Sequence, residues 1–173
     1  QKETLTIVEW PEKIDNKIQI FHGVNTISSV RKGSQIFDDA LTLIQQRYGS
    51  KVDIKTTHSL PYQDYIKTYN NAHIVLDQVY SYDQGYNALE AMAKGKVVFT
   101  GAEQEWLNYY HLNKDTVAIN ALPNIDDIVK KLEILILNPE KIQDISKNAR
   151  AFIEKEHDYI KVAHKYISLW EKR

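Results

Sequence analysis

Glu90 stands among apolar neighbours in the run DQVYSYDQGYNALEAMAKGKVVFT, residues 77–100, and is the only acid between Asp83 and Glu103. It falls in the early turns of a short, nearly apolar helix, where the pattern calls for a core residue. A carboxylate there needs a partner. Two readings stay open. Glu90 caps the helix start and favours its positive end, or it leans into a cleft at the carboxyl ends of parallel strands, where open α/β sheets bind ligands and a lone buried acid marks a site.

A second candidate is the stretch HGVNTISSVRKG, residues 22–33. Backbone donors around Gly23 and Gly33, with Arg31 and Lys32 adjacent, suit a phosphate or diphosphate. Two neighbouring basic residues in a loop also suit a solvent-facing turn. The stretch is neither a Walker A nor a GxGxxG loop, which disfavours ATP hydrolysis and a standard nicotinamide site. The six histidines, His22, His58, His73, His111, His157 and His164, show no HxxxH or HExxH spacing, so no metal is expected. His22, before a glycine at a strand's carboxyl end, is the best placed of them for a ligand. GAEQE carries no serine, and no serine-hydrolase arrangement is found.

These residues need elements to position them. KIQIFH (17–22) reads as a buried strand, and Ser34 caps a helix with apolar residues Ile36, Phe37, Ala40, Leu41, Leu43 and Ile44. KVDIKT is a second strand, HSLP a loop and YQDYIKTYNNA a helix. AHIVL is a third strand, Gly85–Lys94 a helix, and Lys96–Thr100 a fourth strand; EQEWLNYYHLN is a short helix or lid and TVAIN a fifth strand. Asn124 caps a helix that Asn138 and Pro139 end, and the rest of the tail is helical to Trp170. Trp170 has a less obvious place in the core than the other apolar residues of the tail. Residues 1–16 form a lead-in with TLTIVEW as a short strand or linker, and residues 124–173 the C-terminal helices. Strands alternating with helices predict an α/β fold, a doubly wound parallel sheet in one domain.

Composition narrows the class. At 173 residues the chain suits one domain, and its mixed charges sum to −1, so no basic face announces nucleic acid. Cysteine is absent, which removes disulfides, thiolate metal sites and cysteine nucleophiles together. No apolar run approaches the ~20 residues of a membrane span. The expected location is the cytoplasm. A first residue of Gln suggests a piece of a longer protein.

The strand and loop ending in RKG and the run IVLDQVYSYDQGYNALEAMAKGKVVFTG resemble the C-terminal, nucleotide-sugar-binding, Rossmann-like domain of GT-B glycosyltransferases of the retaining group 1 kind. The phrase GYNALEAMAKGKVV is similar to that family's glycine, Glu-Ala-Met-Ala, glycine and buried valine strand. The resemblance covers about residues 17–120, and the terminal helices are similar to the family's crossing back to an N-terminal domain. It implies that Glu90 accepts hydrogen bonds from the donor's ribose, that Lys32 neutralises the diphosphate with Arg31 as helper, and that amides at the helix start, around Gly85, Tyr86 and Asn87, face the phosphates or sugar. The loop from Thr57 to Leu60, with His58, is placed near the base. Where the family often carries a first glutamate contacting the sugar, this chain has Tyr82 followed by Asp83, with Asp83 or Asp77 as substitutes. Val24 or Asn25 holds the place of a further basic residue. No catalytic residue is assigned.

The implied function is transfer of a sugar from a nucleotide diphosphate sugar, in polysaccharide or glycolipid synthesis, without metal or covalent cofactor. The acceptor-binding N-terminal domain is a required partner absent from these residues, so the piece alone is expected to bind nucleotide weakly and to transfer nothing. Peripheral contact with the inner membrane face is left open through that domain. Two other readings remain: a GT-B sugar-nucleotide 2-epimerase, and an inactive nucleotide- or protein-binding module, for which Tyr82 is the main argument.

Overall fold

The computed structural model describes residue 14 and residues 17–171; the expected TLTIVEW strand lies outside them. Five parallel strands form one sheet in the order β2-β1-β3-β4-β5, with β1 at Ile18–Val24, β2 at Val52–His58, β3 at Ile74–Leu76, β4 at Val97–Thr100 and β5 at Ile119–Asn120. β3 and β4 are buried at every residue. Strands covered on both faces need such continuous apolar runs, which here are Ile-Val-Leu and Val-Val-Phe.

Helices flank both faces. They are α1 (Ser29–Lys32), α2 (Ser34–Tyr48), α3 (Tyr62–Asn70), α4 (Tyr86–Ala93), α5 (Gln104–Tyr110), α6 (Ile125–Leu137), α7 (Pro139–Glu156) and α8 (Tyr159–Trp170). Phe37, Ala40, Leu41 and Ile44 of α2 recur at helical spacing and pack with Ile128, Leu132 and Ile136 of α6 against Ile18, Ile20 and Ile74. The opposite face joins Phe21, Val75 and Val98 to Tyr69 of α3, Ala88, Ala91 and Met92 of α4, and Ala149, Phe152 and Ile153 of α7. The doubly wound, Rossmann-like α/β fold expected from the sequence is therefore present.

Several local features differ from the sequence reading. β1 runs two residues further, to Val24, so Gly23 belongs to the ladder with β2, opposite Thr57. The loop read after it contains α1, and because Gly33 ends α1 in the left-handed region it also takes the N-cap of α2, so Ser34 is the first helical residue and not the cap. The helical tail is broken at His157 and Asp158, and the Asp158 carboxylate accepts from Ile160 N and Lys161 N to cap α8. Trp170 is 78% exposed and stands outside both cores.

Candidate functional site

The strand order puts a topological switch between β1 and β3, because the chain leaves β1 to build β2 on one side and returns to build β3 on the other. Loops that diverge at such a point leave a crevice at the carboxyl ends. Three loops gather there. Ser59 N donates to Val24 O at 2.8 Å, and the Thr26 and Ser59 hydroxyls lie 3.0 Å apart, tying the β2 loop to the β1 loop. Val79 N donates to Lys32 O at 3.0 Å, tying the β3 loop to α1.

Arg31 and Lys32 form the last turn of α1, where cations suit the negative helix end. Arg31 is exposed. Lys32 turns inward, its Nζ 2.6 Å from Asp77 Oδ1, with the two side chains 19% and 5% exposed. The other Asp77 oxygen accepts from the Thr100 hydroxyl at 3.2 Å. With both oxygens engaged, Asp77 is a poor substitute for a sugar-binding glutamate, whereas Asp83 is exposed at the loop's tip. Sequence could signal only that an acid ending a buried strand wants a partner.

The glycines of the β1 loop serve packing. A Cβ on Gly23 would lie 2.5 Å from Tyr65 Cε2. Gly33 has φ +69°, and its N–H donates to Val30 O at 3.1 Å, closing α1. His58 is exposed at the end of β2, opposite Val24. His22 is buried, with Nδ1 3.0 Å from Asp38 Oδ1. Burial pushes its pKa down despite the carboxylate, and the nearby His58 and Lys32 push the same way. Because the carboxylate can only accept, Nδ1 carries the proton of this bond and donates.

Gly85 is the extended N-cap of α4 and, as a glycine, offers no side chain to cap it, and no acid lies in the first turn. Glu90 is half-buried one turn later. Tyr86 and Asn87 are exposed at the helix start. The far end of α4 is held by α7, where Arg150 Nη1 donates to Ala93 O and the Ser146 hydroxyl to Gly95 O. α7 thereby fixes the direction in which α4 aims its positive end.

Tyr82 is 79% exposed. Glu103 N donates to its carbonyl at 3.0 Å, and Asp83 O accepts from the Ser81 hydroxyl at 2.8 Å, so the loop is braced although its side chains are open. Tyr82 and Asp83 line a cleft of about 300 Å3 with Trp106, Tyr109, Tyr110 and His157. The phenol of Tyr110 has its pKa raised by burial, with Tyr109, Glu156 and Asp83 adding to the effect. Among the described residues no group of three or more His, Cys, Asp or Glu is placed to hold a metal ion, and no helix is long and apolar enough to cross a membrane.

The class defined by this arrangement is a Rossmann-like α/β domain with its loops gathered at the switch point, the fold of the C-terminal domain of GT-B glycosyltransferases. A sequence profile of the glycosyl transferase-like family matches residues 22–168, and the chain belongs to that family. It is similar to the solved C-terminal domain of a glycosyl transferase group 1 family protein, LpcC, from Francisella tularensis, at 20% identity and TM-score 0.61 over 87% of this chain and 91% of that one. It is also similar to TarM of S. aureus, solved in complex with UDP among other ligands, at 14% identity and TM-score 0.71 over 95% of this chain and 37% of that one. Anabaena HepE, solved in complex with UDP-glucose, is 15% identical at TM-score 0.64 over 91% of this chain and 50% of that one. This chain thus spans half or less of TarM and HepE. No curated protein sequence matches it significantly.

Proposed function

We propose that this chain is the donor-binding domain of a glycosyltransferase, holding the nucleotide part of a nucleotide diphosphate sugar at the β1–β3 switch point. The observation that carries the reading is the convergence there of the basic last turn of α1 on the loop that leads into the start of α4 at Gly85. Loss of a nucleoside diphosphate builds negative charge on the leaving group. Lys32 and Arg31, with the positive end of α4, stabilise that charge without a metal. Glu90 holds the ribose hydroxyls, the loop bearing His58 borders the base, and Asp83 with Tyr82 borders the sugar. That TarM and HepE were solved with UDP or UDP-glucose supports a uridine nucleotide as the first to try.

The transferred group is a hexose, the acceptor a growing polysaccharide or a glycolipid, and the place of action the cytoplasm, at the inner membrane face where the acceptor is lipid-linked. The acceptor is held by a second domain across the cleft, so this chain alone transfers no sugar. Calorimetric titration of the full-length protein with UDP, GDP and ADP tests the reading. One nucleotide should bind preferentially, and Glu90→Ala should weaken it by about 1–3 kcal/mol, the scale of a lost hydrogen bond to a charged group. Binding equal to the parent in a folded Glu90→Ala protein would remove Glu90 from the site.

The exposed Tyr82 in place of a glutamate favours a second reading, a nucleotide-binding module without transfer. A full-length protein that binds a nucleotide sugar but neither transfers nor hydrolyses it would establish that alternative.

A further inference from the structure

Lys32 already has a carboxylate beside it before any anion arrives. Asp77 continues β3, its N–H donating to Phe99 O at 2.9 Å, and its side chain is fixed between Lys32 Nζ and the wholly buried Thr100 hydroxyl. A carboxylate held by two strands and buried on nearly all sides has nowhere to swing when a ligand comes. An anion reaching the remaining donors of this ammonium therefore meets a charge pair whose sum is close to zero.

We propose that Asp77 is a counter-charge that lowers the site's preference for the free nucleoside diphosphate over its sugar ester, and so promotes release of the spent product. The inference rests on the donor-site reading above. A free nucleoside diphosphate has an ionisable terminal phosphate, which the sugar ester masks, so at neutral pH the product carries more negative charge than the donor. Coulomb energy scales with charge at fixed distance. An unaccompanied lysine would thus hold the product more tightly than the donor, and the product would linger. Asp77, held beside the same ammonium, repels the product more than the donor and offsets that advantage. It is a positioning residue as well, because it fixes the lysine at the mouth of the crevice.

Asp77→Asn tests this with little change of shape. The amide oxygen still accepts from Lys32 and the amide nitrogen donates to Thr100, so only the charge is removed. Calorimetry on the full-length protein with UDP and UDP-glucose, GDP and GDP-mannose, and ADP and ADP-glucose reads both affinities for whichever base the parent prefers. The free diphosphate should bind roughly tenfold more tightly in the variant, about 1.4 kcal/mol, and the sugar ester should gain less. A merely structural role for Asp77 would weaken both ligands alike and leave their ratio unchanged. A folded Asp77→Asn protein with an unchanged ratio, or with weaker diphosphate binding, overturns the proposal. If Asp77→Asn does not fold, Lys32→Gln is compared with the double variant Lys32→Gln, Asp77→Asn. The double variant should bind the diphosphate several-fold more tightly, and equal or weaker binding overturns the proposal. A parent that binds none of the three diphosphates overturns the donor-site reading itself, and the counter-charge with it.

Discussion

A histidine buried beside a carboxylate is pulled in two directions, and at His22 burial wins. Its pKa lies below the ordinary 6.5, and His73 is lowered by burial with Lys96 adding to the effect. Unfolding returns both rings toward 6.5, so below that pH the unfolded chain binds more protons than the folded one. Their neutral burial therefore costs no stability above about pH 6.5 and destabilises the fold as pH falls from there toward the lowered folded values. Thermal melts from pH 7.5 to 5.5 should show Tm falling toward acid, with a shallower fall in His22→Gln. The same slope in that variant would mean that His22 does not drive it. The basic pair Arg31 and Lys32 was legible in the sequence, since it follows a recognisable strand. The partner of Lys32 was not, because Asp77 lies 45 residues away and only the β1–β3 pairing brings the two together.

Elements were legible where they were long. α2 and α6 repeat their apolar residues over several turns, and Asn124 caps α6 by accepting from Asp127 N at 3.0 Å, as its type suggests. The four residues of α1 are too few to show a period, and the serines and glycines around them read as loop. The break between α7 and α8 was hidden for the opposite reason, since apolar residues continue at helical spacing across it and only the Asp158 cap marks the stop. The junction between α1 and α2 is the element boundary on which the crevice depends. A Cβ on Gly33 would lie 2.3 Å from Val79 Cγ2 and 3.0 Å from Tyr80 Cε2, at φ +69°. Gly33→Ala should cost at least about 1–2 kcal/mol from the left-handed backbone alone, and more from the clash. Urea denaturation reads the loss, and a midpoint equal to the parent's would contradict the tight approach. Because Lys32 precedes Gly33, the same variant should also weaken diphosphate binding.

At the scale of the whole molecule, the sheet divides two sets of buried residues. Ile128 belongs to the set under α2 and α6, Ile153 to the set under α4 and α7. Substituting either with valine should cost about 0.5–1.5 kcal/mol. Residues that share no neighbours add, so the double variant should equal the sum within about 0.5 kcal/mol. A larger discrepancy in denaturant titrations of the three variants would show that the faces communicate. The parallel α/β class was legible from the alternation of strands and helices, whereas the strand order needed the structure, because parallel neighbours are chosen by crossovers and not by any local pattern. That order bears on the history of each molecule as it folds. Lys32 and Asp77 are 45 residues apart in sequence, and the stretch between them includes all of β2 and α3, so the pair closes only after a long loop has been drawn in, at an entropic cost that nearby contacts do not share. Under the donor-site proposal a half-folded chain would lack the site. A ligand at this place would therefore slow amide exchange throughout the sheet, by stabilising the complete fold against complete unfolding.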